Sequence, residues 1–186
     1  MVIFVKQSKK MNQKNMKKAI KSISEEKEAL KAVLLFLILC FTLNFAYFKL
    51  AGEQIIPRSF TASLVALFLR LFGLDAEASG TFVLLNGSSI DVIGECTGIF
   101  SIIVYCSVIF AYPTSLRNKT IGLIGIPILY ALTLVRLIST ALVGVFIPSL
   151  FDFFHTYLWQ VFLIVFVVLL FLIWRDKVVE VGVEVK

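Results

Sequence analysis

The chain has 186 residues, of which 59% are hydrophobic and 16% are charged, and its mean hydropathy is +0.95. A soluble chain of this length cannot bury so much apolar surface, so the composition predicts a single-domain integral membrane protein. The net charge of +6 does not indicate nucleic acid, because the excess lysines are concentrated near the N terminus, as in a cytoplasmic flank that contacts anionic headgroups.

Apolar runs predict the first membrane segments. A helix is expected over about Leu30–Leu50, long enough to cross the hydrocarbon core. No small-residue cleavage site follows it, so we expect it to stay in place. The next run, Phe60–Leu74, has about fifteen residues and fits a short span, a re-entrant piece or an interfacial helix. It carries Arg70, whose side chain we expect to snorkel to the interface.

The segment from Asp75 to Gly98 has a different character. Short β-rich runs flank Asn86-Gly87, which is the strongest local signal for a hairpin turn. Unpaired strand edges cannot face lipid, so the hairpin is expected at the membrane surface or packed on protein. Three more helices are expected after it, over about Thr97–Leu116, Ile121–Ile147 and His155–Trp174.

Basic residues indicate which loops face the cytoplasm. Arg117 and Lys119 lie in one loop, and Arg175 and Lys177 follow the last helix, so both segments are expected inside with the N terminus. This arrangement requires that Phe60–Leu74 does not cross. The fold prediction is an all-α integral membrane bundle of about four full spans, with one short interfacial or re-entrant helix and a small outer β-hairpin. The predicted divisions are a basic cytoplasmic segment (1–29), a transmembrane domain (30–175) and a cytoplasmic tail (176–186).

Arg136 lies within the long apolar run and is the most informative residue about function. A guanidinium near bilayer depth costs a few kcal/mol and is normally kept only where it faces a polar cavity or a substrate path. At 1.5 Å per residue it lies about 22 Å along its helix, in the outer half of the membrane. Cys96 is expected at the outer start of the second span and His155 at the outer start of the fourth. All three side chains can therefore meet just below the outer surface.

The cysteines and the single histidine each have a structural alternative. Cys40 and Cys106 lie mid-helix among apolar residues and are expected to be small buried hydrophobes. Cys96 differs because it lies at a loop-to-helix junction, where free N–H groups and the helix dipole favour a thiolate. Gly98 lets a second segment approach the backbone closely. His155 equally fits an aromatic belt at the interface. The cysteine spacings support no disulfide framework or metal site.

The order of these residues resembles the exosortase/archaeosortase family of membrane cysteine transpeptidases. Cys96 begins a Cys-Thr-Gly sequence at a helix start, Arg136 follows an Ile-Pro-Ile sequence in its span, and His155 opens the last span. The resemblance covers about Phe60–Trp174 and implies that these three residues form a catalytic triad. Members often have asparagine three residues before the arginine, whereas this chain has Thr133.

The resemblance also implies a substrate and a location. The substrate is a secreted protein whose carboxyl end carries a short motif, an apolar helix and a basic cluster, and its acyl group passes through a Cys96 thioester to an amine acceptor or water. Such an enzyme lies in the cell membrane among lipids, with its site facing outward and with no cofactor. Thiol acyl transfer needs a nucleophile, a proton carrier and an oxyanion partner. Cys96, His155 and Arg136 supply one of each.

Two other classes of function remain open from the residues alone. A disulfide-exchange or quinone-linked oxidoreductase needs paired cysteines, whereas Cys96 and Cys106 on one helix would lie about 15 Å apart. A non-enzymatic membrane partner or small transporter subunit would use Arg136 in a structural ion pair. The acids available for that pair are Asp91, Glu95 and Asp152.

Overall fold

A computed structural model describes residues 26–49, 55–85 and 88–180 of the chain. Most of the predicted N-terminal segment, the Asn86-Gly87 turn and the end of the predicted tail lie outside these residues. The helices are α1 (Glu26–Lys49), α2 (Ile55–Leu71), α3 (Ile99–Ala111), α4 (Leu116–Gly122), α5 (Gly125–Phe146) and α6 (Trp159–Trp174). The strands are β1 (Ala76–Ser79), β2 (Phe82–Leu85) and β3 (Ser88–Asp91). Short turns of 3₁₀ helix (Gly94–Thr97, Pro148–Leu150) and π-helix (Phe153–Leu158, Arg175–Glu180) complete the helical structure.

The protein is a helical membrane protein with three candidate membrane-spanning stretches among its described residues. They are Glu26–Lys49, Leu116–Phe146 and Pro148–Glu180, each long and apolar enough to cross a bilayer. Helix α3 is apolar but has only 13 residues, so it is shorter than the predicted span Thr97–Leu116. The four predicted full spans are therefore not all present as long helices.

Local backbone chemistry explains where α3 and α5 differ from the prediction. Gly98 has a left-handed backbone, with φ +72°, and separates α3 from the preceding turn. Tyr112 is extended, as expected for a residue that precedes a proline, and it ends α3.

Helix α5 begins at Gly125 rather than near Ile121, after a turn. Pro127 has no N–H to donate to the carbonyl four residues earlier, which accounts for the break between α4 and α5.

The segment predicted as one hairpin is a three-stranded antiparallel sheet with the order β1-β2-β3. Leu85, the last residue of β2, pairs with Ser88, the first residue of β3. The additional strand β1 pairs with β2 across a second short turn, which includes Gly80 with φ +61°. The sequence of β1, Ala-Glu-Ala-Ser, contains no β-branched or aromatic residue, which explains why the pattern did not predict it.

Helix α2 packs between the sheet and α5. Its buried side chains belong to one cluster with residues of the sheet and with the second half of α5. The members from α2 are Ala62, Val65, Ala66 and Leu69, and those from the sheet are Ala76, Val83 and Leu85. Cys96 belongs to the same cluster, so α2 and the sheet form the support on which the Cys96 turn rests.

Aromatic contacts show how α3, α5 and α6 run relative to one another. Tyr112 at the end of α3 lies against Trp174 at the end of α6, with 5.6 Å between ring centroids. The Trp174 indole N–H donates to the Asn118 carbonyl at the start of α4, 2.8 Å away. Helices α3 and α6 are therefore parallel, and α5 returns from their shared end. That end carries the basic residues Arg117, Lys119, Arg175 and Lys177.

Candidate active site

Cys96 lies in the 3₁₀ turn that connects β3 to α3, and it is 4% exposed. Its backbone N–H donates to the Ile93 carbonyl (2.9 Å), and the Thr97 hydroxyl donates to the Gly94 carbonyl (2.6 Å), so two bonds hold the turn. Helix α3 begins at Ile99 rather than at about Thr97, as predicted, so Cys96 lies three residues before the first residue of that helix.

Gly98 fixes the Cys96 turn against α5. A Cβ placed on Gly98 would lie 2.3 Å from Oγ1 of Thr133, so only glycine fits, and its φ of +72° has the same requirement. Helix α5 of the same chain is the segment that approaches the Gly98 backbone. Thr133 is buried, and its hydroxyl donates to the Leu129 carbonyl (3.0 Å). Thr133, at the position where asparagine is often found in the family that the sequence resembles, is therefore a packing contact of Gly98.

Cys96 and His155 line the same cavity, which has a volume of about 240 Å³. His155 comes from the π-helical turn before α6, and its ring stacks on Phe151 with 5.5 Å between centroids and 10° between planes. The walls are formed by β3, the Cys96 turn, α5 and the connection from α5 to α6. The lining residues are Ser89, Ile90, Asp91, Val92, Cys96, Leu137, Thr140, Ala141, Phe151 and His155. Two of the three predicted site residues are thus brought together.

Arg136 does not line this cavity. Thr133, almost one turn earlier on α5, contacts Gly98, and Thr140, one turn later, lines the cavity. Because successive helical residues are rotated by about 100°, Arg136 is about 40° from Thr140 around the helix axis but about 100° from Leu137, which also lines the cavity. The Arg136 position therefore lies at the edge of the cavity-facing side of α5, and the residue is partly buried.

Asp91, one of the acids considered for an ion pair with Arg136, is held by a different arginine. Arg58 of α2 lies 2.9 Å from the Asp91 carboxylate and also donates to the Val92 carbonyl (2.7 Å). Within residues 26–49, 55–85 and 88–180, Arg136 has no ion pair. Arg58 was not anticipated, because nothing in the sequence links it to a partner 33 positions away. It secures the end of β3, which leads into the Cys96 turn.

The remaining candidates lie outside the cavity. Cys40 and Cys106 are partly buried, rather than fully buried as expected, in α1 and α3. Arg70 is exposed, and its side chain donates to the Ala76 carbonyl, which fixes the start of β1. Among the described residues, no group of three or more histidine, cysteine, aspartate or glutamate residues could hold a metal ion.

A second cavity of about 270 Å³ adjoins the first and shares Ile90, Ala141 and Phe151 with it. Its other walls are Leu85, Gly144, Val145 and Pro148, all apolar. Gly144 leaves room for the Phe151 ring, since a Cβ there would lie 3.2 Å from a ring carbon. The cavity with the thiol and the imidazole thus adjoins a second cavity that no charged side chain lines.

A comparison with known families identifies one match over most of the chain. The family model described as transmembrane exosortase matches residues 26–174. This region includes all helices and strands that form the two cavities. No curated protein and no solved structure gives a significant match.

Proposed function

The chain belongs to the transmembrane exosortase family, and on this basis we propose that it is a membrane-embedded cysteine protease and transpeptidase. One observation carries the proposal: Cys96 and His155, from distant parts of the sequence, line a single cavity. A thiol beside an imidazole is the pairing that acyl transfer through a thioester requires. Cys106 and Cys40 lie outside this cavity, so the chemistry is assigned to one thiol.

In the proposed reaction, Cys96 is the nucleophile and His155 moves the protons. The thiolate attacks the carbonyl carbon of the scissile peptide bond, a C–S bond forms, and the C–N bond breaks as His155 gives a proton to the leaving amine. An amine acceptor, or water, then attacks the thioester and restores the thiol. Arg136 lies one turn before Thr140, which lines the cavity, and we assign its guanidinium to the oxyanion of the tetrahedral intermediates.

We further propose that the substrates are secreted proteins with a carboxyl-terminal sorting signal, made of a short motif, an apolar helix and a basic tail. The apolar helix would lie in lipid beside the spans, and the basic tail would stay in the cytoplasm. These two anchors would hold the scissile bond at the outer surface, so that binding energy far from the reacting bond fixes its position. The second cavity, which no charged side chain lines, suits uncharged substrate side chains next to that bond.

This function requires the cavity to face outward, and the arrangement of the bundle supports that orientation. The basic residues Arg117, Lys119, Arg175 and Lys177 gather at one end of the bundle, next to the Trp174–Asn118 bond. Cys96 and His155 lie toward the other end, at the starts of α3 and α6. Under the positive-inside rule the basic end is cytoplasmic. Helix α2 and the sheet then lie on the outer side, and both termini lie inside.

The proposal is tested by replacing the thiol in cells that produce a tail-bearing reporter. The reporter is a secreted protein fused to the motif, helix and basic tail of a protein encoded in the same genome. Cys96→Ala should abolish cleavage of the tail without lowering the abundance of the protein, because removing one thiol from a turn costs little stability. The matched controls Cys40→Ala and Cys106→Ala should cleave at the wild-type rate. Cleavage by Cys96→Ala at that rate would exclude a thiol protease.

A further inference from the structure

The side-chain hydroxyl of Thr140 is buried but makes no hydrogen bond among the described residues. It lies on α5 and lines the cavity together with Cys96 and His155. The residue is 6% exposed, and its Oγ1 atom is shielded from solvent yet has no hydrogen-bond partner among the described residues. Buried polar atoms in native structures are normally paired, so an exception in a reactive cavity points to a ligand group as the partner.

Comparable buried hydroxyls elsewhere in the helices are paired with their own backbone. Thr133 donates to the Leu129 carbonyl (3.0 Å), and Ser107 donates to the Ile103 carbonyl (2.7 Å), each four residues earlier. This is the usual local bond for such a side chain in a helix. Thr140 therefore departs from the pattern that the same protein follows at equivalent sites.

The Thr140 hydroxyl makes no bond to the carbonyl four residues earlier, which belongs to Arg136. The neighbouring Ser139 hydroxyl lies 2.7 Å from the Val135 carbonyl and 2.9 Å from the Arg136 carbonyl, and its single hydrogen is shared between these two acceptors. The Thr140 hydroxyl can therefore donate to a group in the cavity without breaking a bond within the protein.

We propose that Thr140 is a further catalytic residue, whose hydroxyl donates a hydrogen bond to the carbonyl oxygen of the bond that Cys96 attacks. This inference rests on the proposed acyl transfer. Thr140 lines the cavity that contains the thiol, one turn after Arg136 on α5. A hydrogen bond from its hydroxyl becomes stronger as negative charge develops on the carbonyl oxygen.

The test compares two reactions of Cys96 with small reagents, one of which passes through an oxyanion. With p-nitrophenyl acetate, the thiolate attacks the ester carbonyl, a C–S bond forms, and p-nitrophenolate leaves from a tetrahedral intermediate. With iodoacetamide, the thiolate displaces iodide at a saturated carbon, and no oxyanion forms. The purified full-length protein carries Cys40→Ser and Cys106→Ser, so that Cys96 is its only thiol.

Thr140→Val should lower the rate constant of acetylation about ten- to a hundredfold, somewhat below the loss found for other single oxyanion donors. It should leave the rate constant of alkylation within about twofold, because the same shape is kept and the thiol is unchanged. Thr140→Ser should restore most of the acetylation rate. Ser107→Ala, which removes a buried hydroxyl that is bonded elsewhere, should change neither rate.

Two results would overturn the assignment. Equal losses in acetylation and alkylation would make Thr140 a packing residue, and an unchanged acetylation rate would remove it from the site altogether. If Thr140→Val does not accumulate, the ratio of the two rates in Thr140→Ser and Thr140→Ala makes the same distinction. Since neither reagent carries a sorting signal, this outcome is separate from that of the cleavage assay with Cys96→Ala.

Discussion

Gly98 and Thr133 are in direct contact between the Cys96 turn and α5, so close that a Cβ on Gly98 would lie 2.3 Å from the Thr133 Oγ1 atom. This contact sets the distance between the thiol and the helix that carries Arg136 and Thr140. A change at Gly98 should therefore affect both stability and activity.

Gly98→Ala should lower the free energy of unfolding by about 2–5 kcal/mol, from the left-handed backbone (about 1–2 kcal/mol) and from the clash with Thr133 (about 1–3 kcal/mol). Gly80→Ala is the matched control. Gly80 also has a positive φ (+61°), but no atom lies within 4 Å of an added Cβ, so only the backbone cost of about 1–2 kcal/mol is expected. Unfolding of the two variants in detergent measures both losses of free energy. Equal losses would mean that the contact with Thr133 is not tight.

Cleavage of the reporter should require the guanidinium of Arg136 and not only its positive charge. If its donors hold an oxyanion, Arg136→Lys should reduce reporter cleavage nearly as much as Arg136→Ala, by a factor of about a hundred or more, because an ammonium does not reproduce the fork of donors. Arg70→Lys is the control, since Arg70 donates to the Ala76 carbonyl away from the cavity, and it should cleave normally. Near-normal cleavage by an abundant Arg136→Ala variant would remove this residue from the mechanism.

Arg58 should act mainly through the backbone of the strand that leads to Cys96. Arg58→Met removes a charged hydrogen bond to the Val92 carbonyl, which should cost about 1.5–3 kcal/mol of unfolding free energy. Asp91→Asn should lower the free energy of unfolding by no more than about 1 kcal/mol. The Arg58–Asp91 ion pair is partly exposed, and Arg58 still donates to the Val92 carbonyl in this variant. Thermal unfolding of both variants tests this order. The reverse order would show that the ion pair, rather than the carbonyl bond, secures the strand.

Apolar runs and turn residues predicted much of this fold, and contacts between distant residues account for the rest. The length of apolar sequence predicted α1, α5 and α6, and Asn86-Gly87 predicted the β2–β3 pairing. The late start of α3 at Ile99 could not be predicted, because it depends on the left-handed Gly98. At the site, residue type and order predicted Cys96 and His155, which share a cavity. The partners Arg58 and Asp91 are visible only after folding, and so is the buried, unbonded hydroxyl on which the proposed role of Thr140 rests.

The orientation of the bundle can be tested with reporters fused at its two ends. A fusion after Lys119, at the basic end, should leave alkaline phosphatase inactive, whereas a fusion after Asp152, beside the π-helical turn of His155, should make it active. Green fluorescent protein at the same positions should give the opposite pattern. An exported, active phosphatase at Lys119 would contradict the outward-facing site.

The most direct test of the central claim is the detection of a thioester on Cys96. Turnover of the tail-bearing reporter is slowed by withholding the acceptor, and the purified protein is analysed by intact mass and by peptide mapping. We expect an added mass on Cys96, equal to that of the cleaved reporter, that neutral hydroxylamine removes, because hydroxylamine cleaves thioesters and spares amides. An adduct on Cys40 or Cys106, or cleavage that continues in Cys96→Ala with no hydroxylamine-sensitive adduct, would contradict the account.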